Sequence, residues 1–243
     1  MKDGREDVFV QYFKIKEGKF IDRPNRFIAH VEINGKPEVC HVKNTGRCKE
    51  ILLPGSTVLV EESDHPNRKT KYDLVSVYKG ETLINMDSQM PNALVKEWLE
   101  NNEIFPGMTK LQPETKYGNS RFDYYIEYQG RKAFAEVKGV TLEENGHAKF
   151  PDAPTLRGIK HIKELQKCME EGYEAWLFFI IQMKGIYKFS PNWDTQPEFG
   201  RELLRAKEHG VCIQAWDCIV EPSYLRIDRR IPIDFSQGVL KYD

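Results

Sequence analysis

The sequence predicts a mixed α/β protein in which a small closed β-barrel precedes an α/β domain. Two observations favour this fold class. Short β-branched or aromatic stretches separated by turn residues fill residues 8–80, whereas amphipathic helices alternate with apolar strands after residue 87. The chain has 243 residues, which is enough for two ordinary domains. We therefore expect an OB-fold-like β-barrel at 1–86 and a second, α/β domain at 87–243.

The overall composition is that of a soluble globular protein. Hydrophobic residues make up 40% and charged residues 30%. Lysine plus arginine is 36 and aspartate plus glutamate is 37, so the formal net charge is −1. Any affinity for a polyanion must therefore come from local clusters of positive charge.

The cysteines and the apolar runs indicate a cytoplasmic protein. The five cysteines form an odd set without a CxxC pair, which favours free thiols in a reducing compartment. They are Cys40, Cys48, Cys168, Cys212 and Cys218. The charged start lacks the apolar segment of a signal peptide, and the longest apolar run, AWLFFII, is too short to cross a membrane.

Five short strands are predicted in the N-terminal part. They are FVQYFKI, FIAHVEI, EVCHV, TVLVEES and YDLVSVY. Turn residues separate them at Glu17-Gly18, Asn34-Gly35, Pro54-Gly55 and His65-Pro66-Asn67. Asn34-Gly35 is a strong hairpin signal. Five strands of this length favour an OB-fold, although a small SH3-like barrel would have a similar pattern.

The second domain is predicted to begin with a helix at 92–103. Asn92 is a plausible N-cap, the Pro91 region is the expected domain junction, and one helix face is apolar. Three strand candidates follow, TKLQPETKYG, RFDYYIEYQ and RKAFAEVKGV, and then a glycine-bearing loop.

The remaining elements alternate between helix and strand. Thr155 can cap a helix that Gly172 ends, and its apolar stripe comprises Ile159, Ile162, Leu165 and Met169. The continuous apolar run EAWLFFIIQM is typical of a buried strand. A second helix, PEFGRELLRAKEHG, and a strand, VCIQAWDCIV, complete the order.

The candidate catalytic and metal-binding residues lie on the two strands of one predicted hairpin. A two-residue turn at Gln129-Gly130 would place Asp123 directly opposite Glu136, with Lys138 on the same face. Facing carboxylates raise each other's pKa unless positive charge lies between them. Lys138 supplies one such charge, and Mg²⁺ or Mn²⁺ held by Asp123 and Glu136 would supply more. The alternative is an exposed cross-strand salt bridge.

This Asp-x12-Glu-x-Lys spacing and the α-β-β-β-α-β order resemble the PD-(D/E)xK nucleases. The resemblance implies that Asp123, Glu136 and Lys138 form a catalytic cluster. A metal held there can polarise a scissile phosphate, and the lysine can steady the developing charge. Glu97, Glu100 or Glu103 on the first helix could complete the metal shell.

Positively charged residues near this cluster are candidates for contacts with a nucleic-acid backbone. The helix after the hairpin can present Arg157, Lys160 and His161 on one face. The full set of candidates is Arg68, Lys69, Lys71, Arg121, Lys149, Arg157, Lys160 and His161. Tyr12, Phe13 and Phe27 could stack on bases, but core packing is the better expectation for each of them. Cys40, His41 and Cys48 have poor spacing for zinc.

Several stretches together resemble the sugar fermentation stimulation protein (SfsA) family. They include HVKNTGRCKEILLPGS, KYGNSRFDYYIE, EVKGVTL and FPDAPTLRGIKHIKEL, in the family's order. The resemblance implies an N-terminal OB-fold, a PD-(D/E)xK nuclease-like domain and DNA binding with little sequence preference. It also implies a link to the regulation of sugar metabolism.

Two functions are therefore predicted. The first is a metal-dependent nuclease that acts on DNA. The alternative is a non-catalytic, sequence-nonspecific DNA-binding regulator of sugar metabolism genes. A structural or protein-interaction module is a third possibility, which the basic elements make less attractive. The sequence does not specify the oligomeric state.

Overall fold

The computed structural model describes residues 9–44, 46–101 and 104–236. Its N-terminal part begins with a short strand and continues with six strands of one sheet. They are β1 (Val10–Gln11), β2 (Ile15–Asn25), β3 (Ile28–Ile33), β4 (Lys36–Val42), β5 (Thr57–Glu62), β6 (Tyr72–Lys79) and β7 (Thr82–Asn85). The sheet order is β4-β3-β2-β5-β6-β7, and β4 also pairs with β6. This additional pairing closes a five-stranded barrel, as the sequence predicts.

Two predictions about the start of the barrel are wrong. Val10 and Gln11 pair with Leu225 and Tyr224 of the second domain instead of joining the barrel. The predicted turn at Glu17-Gly18 lies inside β2. Gly18 is needed there because an added Cβ would lie 2.5 Å from Cγ1 of Val31 on the neighbouring strand. A close approach between strands, rather than a turn, therefore explains this glycine.

The hairpin predicted at Asn34-Gly35 is confirmed. Ile33 pairs with Lys36, and both turn residues have positive φ, 52° for Asn34 and 72° for Gly35. Asparagine followed by glycine suits such a turn because both tolerate the left-handed conformation. Strand β7 was not among the predicted elements.

The second domain has the predicted α-β-β-β-α-β order. Its elements are α1 (Met90–Asn101), β8 (Met108–Tyr117), β9 (Ser120–Tyr128), β10 (Arg131–Val140), β11 (Glu143–Glu144), β12 (His147–Phe150), α2 (Leu156–Glu170), β13 (Glu174–Ile181), β14 (Lys188–Pro191), α3 (Pro197–Glu208), β15 (Cys212–Glu221) and β16 (Tyr224–Ile231). A seven-stranded sheet has the order β1-β16-β15-β13-β10-β9-β8. Strands β11 and β12 lie in the predicted glycine-bearing loop and form a small sheet, β11-β12-β14, with β14 from after β13. Strands β14 and β16 were not predicted either.

Helices α1 and α2 cover opposite faces of the large sheet. Leu94, Val95, Trp98 and Leu99 of α1 pack with Ala133 and Ala135 of β10 and with Phe178 and Ile180 of β13. The predicted stripe of α2 packs with Phe134, Leu177 and Phe179 on the other face. The strands in the middle of the sheet are buried on both sides, which explains their continuous apolar sequence.

Local signals fix the two ends of α2 as predicted. Thr155 Oγ1 accepts a hydrogen bond from the Gly158 amide at 2.9 Å, and Gly172 follows the helix with φ of 87°. The start of α1 differs from the prediction. The helix begins at Met90, so Asn92 lies in its first turn and is not the N-cap. Pro91 is a helical residue, at a position where a missing amide costs little. Glu103 lies outside the described residues.

Buried polar contacts join the barrel to the second domain. Gln182, directly after β13, donates its side-chain amide to Asn85 Oδ1 at 2.7 Å and to the Asp87 carbonyl at 3.0 Å. The backbone amide of Asn85 donates a hydrogen bond to the backbone carbonyl of Gln182 at 2.9 Å. All three residues are buried, so these hydrogen bonds fix the barrel against the end of β13. Among the described residues, no helix has the length and apolar character required to span a membrane.

Candidate metal site and basic cleft

The hairpin between β9 and β10 sets the position of Asp123. Gln129 and Gly130 form the predicted two-residue turn, with φ of 46° and 74°. The register runs from Tyr128 opposite Arg131 to Tyr124 opposite Ala135. The recorded pairing ends there, and Oδ2 of Asp123 accepts a hydrogen bond from the Val137 amide at 2.7 Å. Asp123 thus reaches β10 beside Glu136, through its side chain.

The two oxygens of Glu136 have different surroundings. The residue is only 2% exposed. Its Oε1 accepts hydrogen bonds from Lys138 Nζ and from His161 Nδ1. Its Oε2 is buried and has no hydrogen-bond partner among the residues that the structure describes. Burial acts to raise the pKa of Glu136, but Lys138 and His161 outweigh it and hold the pKa below its ordinary value.

Asp123 has the opposite shift. Burial and the neighbouring negative charge of Glu136 raise its pKa to about 6. Hydrogen bonds from the Val137 amide and from Asn92 Nδ2, the latter at 2.9 Å, oppose this rise without cancelling it. The repulsion between the two acids that the sequence predicts is therefore seen in the raised pKa of Asp123. Lys138 and His161 stabilise the charge of Glu136.

These residues fit a divalent cation that prefers oxygen ligands. Asp123 and Glu136 bring two carboxylates against the single ammonium of Lys138, and one carboxylate oxygen is buried without a partner. Among the described residues no three histidine, cysteine or acidic side chains are placed to hold a metal. The protein would thus supply two carboxylates and leave the other positions to water and substrate, as is usual for Mg²⁺.

Helix α1 contributes an amide to this site instead of the expected third acid. Asn92 contacts Asp123 through its side chain, and its backbone carbonyl accepts a 2.6 Å hydrogen bond from the Tyr124 hydroxyl. Glu97 and Glu100 are exposed, and Glu100 pairs with Lys96 at 2.9 Å. Asn92 was predicted to be the N-cap of this helix, so its contact with Asp123 was not foreseen.

A basic cleft of about 540 Å³ lies beside the site. Its lining residues are Lys116, Gly118, Asn119, Ser120, Arg121, Arg157, Lys160 and His161. Four of the predicted backbone-binding residues therefore meet in one cleft, and Lys116 joins them without having been predicted. Lys160 Nζ is anchored on the Asn119 carbonyl at 3.2 Å, and Arg121 pairs with Glu114 at 2.9 Å.

Lys149 lies apart from this cleft. It pairs with Glu144 at 2.6 Å and lines a smaller pocket of about 180 Å³ together with Asn44, Asp152 and Gln182. The pocket lies where the two domains meet. Arg23 shapes its barrel side by donating hydrogen bonds to the carbonyls of Asn44 and Gly46, at 2.6 and 2.8 Å. The sequence shows Arg23 only as a positive charge, so its hydrogen bonds to the carbonyls of Asn44 and Gly46 were not predictable.

Two of the three candidate basic residues of the barrel loop have acidic partners within the protein. Arg68 forms a two-point contact with Asp73, and Lys71 pairs with Glu62 at 3.0 Å. Lys69 is exposed. The three candidate stacking residues divide: Phe13 and Phe27 are exposed, whereas Tyr12 is buried and donates its hydroxyl towards Asp87.

The cysteines are free thiols, as predicted. All five are unpaired, and four of them are buried. Burial raises the pKa of Cys40 and of Cys48 to about 12. His41 turns to Asp73 at 3.3 Å. Cys40, His41 and Cys48 are not grouped as a metal site in the described part of the chain.

Together, the fold and the site define a two-domain protein with an OB-type barrel and a nuclease-like α/β domain. Comparison with known proteins supports this assignment. A family model described as the sugar fermentation stimulation protein RE domain matches residues 89–224, and one described as the SfsA N-terminal OB domain matches residues 21–86. The chain belongs to the SfsA family.

Relatives of high identity carry the same family name. A sugar fermentation stimulation protein homolog from Clostridium beijerinckii is 55% identical over 218 residues, which are 90% of this chain and 96% of the relative. A homolog from Ruminiclostridium cellulolyticum is 54% identical over 224 residues, 92% of this chain and 99% of the relative.

A solved structure of the family has the same fold. It is Pyrococcus furiosus SfsA in complex with Ca²⁺, with a TM-score of 0.86 and 27% sequence identity. The match covers 94% of this chain and 99% of the other.

Proposed function

We propose that this protein is a metal-dependent nuclease that acts on DNA. The observation that supports this best is the bare, buried Oε2 of Glu136 beside Asp123, whose pKa is raised to about 6. A buried acid with one oxygen left unpartnered, next to a second, half-buried acid, is costly unless a cation completes the pair. A protein that only bound a polyanion would gain nothing from these acids.

The side chains divide the work of the reaction. Asp123 and Glu136 would hold Mg²⁺ or Mn²⁺, and the related Pyrococcus furiosus SfsA was solved with Ca²⁺, which has the same preference for oxygen ligands. The bound cation would polarise the scissile phosphate and lower the pKa of the attacking water. Lys138 would stabilise the negative charge that develops on the phosphate.

The cleft would hold the nucleic-acid backbone in register with this site. Arg121, Arg157 and Lys160 line the cleft together with His161. His161 also contacts Glu136 directly. Contacts to phosphate position a duplex or strand without selecting its sequence, so we expect little sequence preference. Binding by Arg68, Lys69, Lys71 and Lys149 stays a prediction. We also place the protein in the cytoplasm and assign binding to 1–86 and cleavage to 87–243.

The second candidate is a non-catalytic DNA-binding regulator of sugar metabolism genes. The cleft favours this function as well, because its positive side chains would bind DNA whether or not a cut follows. The family name points in the same direction. In that case the nuclease-like domain would serve as a scaffold.

One assay separates the two candidates. Purified protein is incubated with plasmid and oligonucleotide DNA in Mg²⁺, in Mn²⁺ and in EDTA, beside Glu136→Gln. We expect metal-dependent cutting that falls at least about 100-fold in the variant, because the uncharged amide is a poor ligand for a hard cation. Glu127→Gln on the preceding strand is the matched control and should cut normally.

DNA binding is measured in the same preparations. Salt-sensitive binding by both wild type and Glu136→Gln, with no cutting under any condition, would support the regulator and contradict the nuclease. Cutting that survives in Glu136→Gln would show that the catalytic site lies elsewhere.

A further inference from the structure

His161 connects the candidate metal site to the basic cleft. It lies in the second turn of α2 and is 5% exposed. Its Nδ1 contacts Oε1 of Glu136, and its Nε2 accepts a hydrogen bond from Arg157 Nε at 3.4 Å. Because Nε2 is the acceptor, the ring proton lies on Nδ1. The histidine is therefore a donor to Glu136, and Arg157 fixes it in that tautomer.

The position of this donor helps to decide which oxygen of Glu136 is left without a partner. The terminal torsion of a glutamate is broad, so either oxygen could turn inward if nothing held the group. Lys138 on β10 and His161 on α2 both contact Oε1, from two different elements. Oε2 is left buried and bare. Phe122, with its ring centroid 6.4 Å from that of His161, packs against the imidazole.

We propose that His161 is a positioning residue that orients Glu136 so that Oε2 faces the divalent cation. Arg157 supports His161 from the cleft, so one hydrogen-bonded chain, Arg157 to His161 to Glu136, links the phosphate-binding surface to the metal site. This inference rests on the proposed function and deepens it. Outer partners of metal ligands commonly change metal affinity or activity by about 10–100-fold when they are replaced.

Two amide substitutions test the position of the donor. In His161→Asn the amide nitrogen occupies the place of Nδ1, and in His161→Gln it lies nearer the place of Nε2. We measure Mn²⁺ affinity by electron paramagnetic resonance without DNA. Wild type and His161→Asn should agree within about threefold, whereas His161→Gln and His161→Ala should bind about 10–100-fold more weakly. His65→Asn, at an exposed position, is the control.

A metal-free measurement tests the hydrogen-bonded chain itself. Long-range ¹H–¹⁵N spectra of the apoprotein should show His161 with its proton on Nδ1, and circular dichroism checks the fold of each variant. Equal Mn²⁺ affinity in wild type and a folded His161→Gln would overturn the positioning role. Equal losses in folded His161→Asn and His161→Ala would also overturn it, because the ring rather than the donor would then matter.

The proposed function fails in a different way. If wild-type protein bound no Mn²⁺, both the nuclease and the positioning role would be overturned. If it bound Mn²⁺ tightly and His161→Gln did the same, only the positioning role would be lost.

Discussion

Each domain contains a buried acidic site, and the two sites are balanced differently. In the barrel, Asp73 is 3% exposed and faces Arg68, Lys43 at 3.1 Å and His41 at 3.3 Å. Burial acts to raise its pKa, but Arg68 and Lys43 outweigh this and hold the pKa below its ordinary value. In the second domain, burial and Glu136 raise the pKa of Asp123 to about 6.

This difference separates a charge cluster that is balanced within the protein from one that is not. The barrel supplies its own counter-charges, so its acid stabilises the fold without help. The second domain has two acids for one lysine, and in the described part of the chain Oε2 of Glu136 has no partner. Natural structures rarely leave buried polar atoms unpaired unless a ligand, an ion or water completes them. The unbalanced cluster is therefore the one that we propose to be functional.

The largest effect that tests this comparison is expected for Asp123→Asn in the metal-free protein. A pKa of about 6 against an ordinary 3.8 corresponds to about 3 kcal/mol at neutral pH. Because the pKa of Asp123 is raised in the folded state, its protonated carboxyl stabilises the fold below about pH 4. This contribution is lost as pH rises through about 6. Asp123→Asn should thus be more stable than wild type at pH 7.5, by up to about 3 kcal/mol.

Urea unfolding in EDTA between pH 4 and pH 8 measures this difference. The advantage of Asp123→Asn should disappear near pH 4, and Glu127→Gln on the same strand should show no such dependence. A variant less stable than wild type at pH 7.5 would mean that Asp123 is balanced like Asp73, and the distinction between the two clusters would be lost.

The same comparison shows what the sequence could predict. The Gln129-Gly130 turn, the Thr155 cap and the Glu-x-Lys spacing are local signals, and each gives the correct local structure. The pairing of Val10 with Leu225 was missed because it joins distant segments, and strand β16 is too rich in charge to show a strand pattern. Hydrophobic periodicity reports on neighbours along the chain only.

Partners across the fold were equally hidden in the candidate site. The sequence grouped Asp123, Glu136 and Lys138, but it could not show that Asn92 reaches Asp123 or that His161 reaches Glu136. It also ranked Arg68 and Arg121 alike, because a run of basic residues does not show which acid lies opposite in space. Arg68 is paired within the protein because Asp73, the acid it contacts, is buried and requires a counter-charge.

The next effect in size is expected for Arg68→Ala. Its removal leaves Asp73 buried with Lys43 and His41 only, so we expect a loss of about 2 kcal/mol in the free energy of unfolding at pH 7. Because the pKa of Asp73 is lowered in the folded state, its charge stabilises above about pH 4, and this contribution is lost as pH falls. The cost of Arg68→Ala should therefore shrink in acid.

Lys69→Ala is the matched control for this measurement, since Lys69 is the exposed neighbour. Its effect should stay within about 0.5 kcal/mol. If Arg68→Ala were equally neutral, or if its cost were the same at pH 4 and pH 7, the barrel cluster would not be the self-balanced unit described above.

The smallest effect concerns the positive charges of each domain that we propose to contact DNA. Arg121 and Lys160 have side chains that are 65% and 52% exposed and line the cleft. Lys71, at 57%, is similarly exposed but lies on the barrel, and each of the three side chains has an acidic partner. Replacing Arg121 and Lys160 by alanine together should weaken binding to a 20-mer duplex about tenfold at low salt. The slope of log affinity against log salt should become shallower by about 2, or 0.9 for each lost phosphate contact.

The barrel double variant Lys69→Ala with Lys71→Ala gives the comparison, and fluorescence anisotropy with Mg²⁺ replaced by EDTA avoids cutting. We expect less than a twofold change, because Lys69 and Lys71 lie outside the basic cleft beside the candidate metal site. If the barrel variant lost more affinity and more salt slope than the cleft variant, the main DNA-binding surface would lie on the OB domain. The α/β cleft would then serve to hold the strand at the metal site rather than to recruit it.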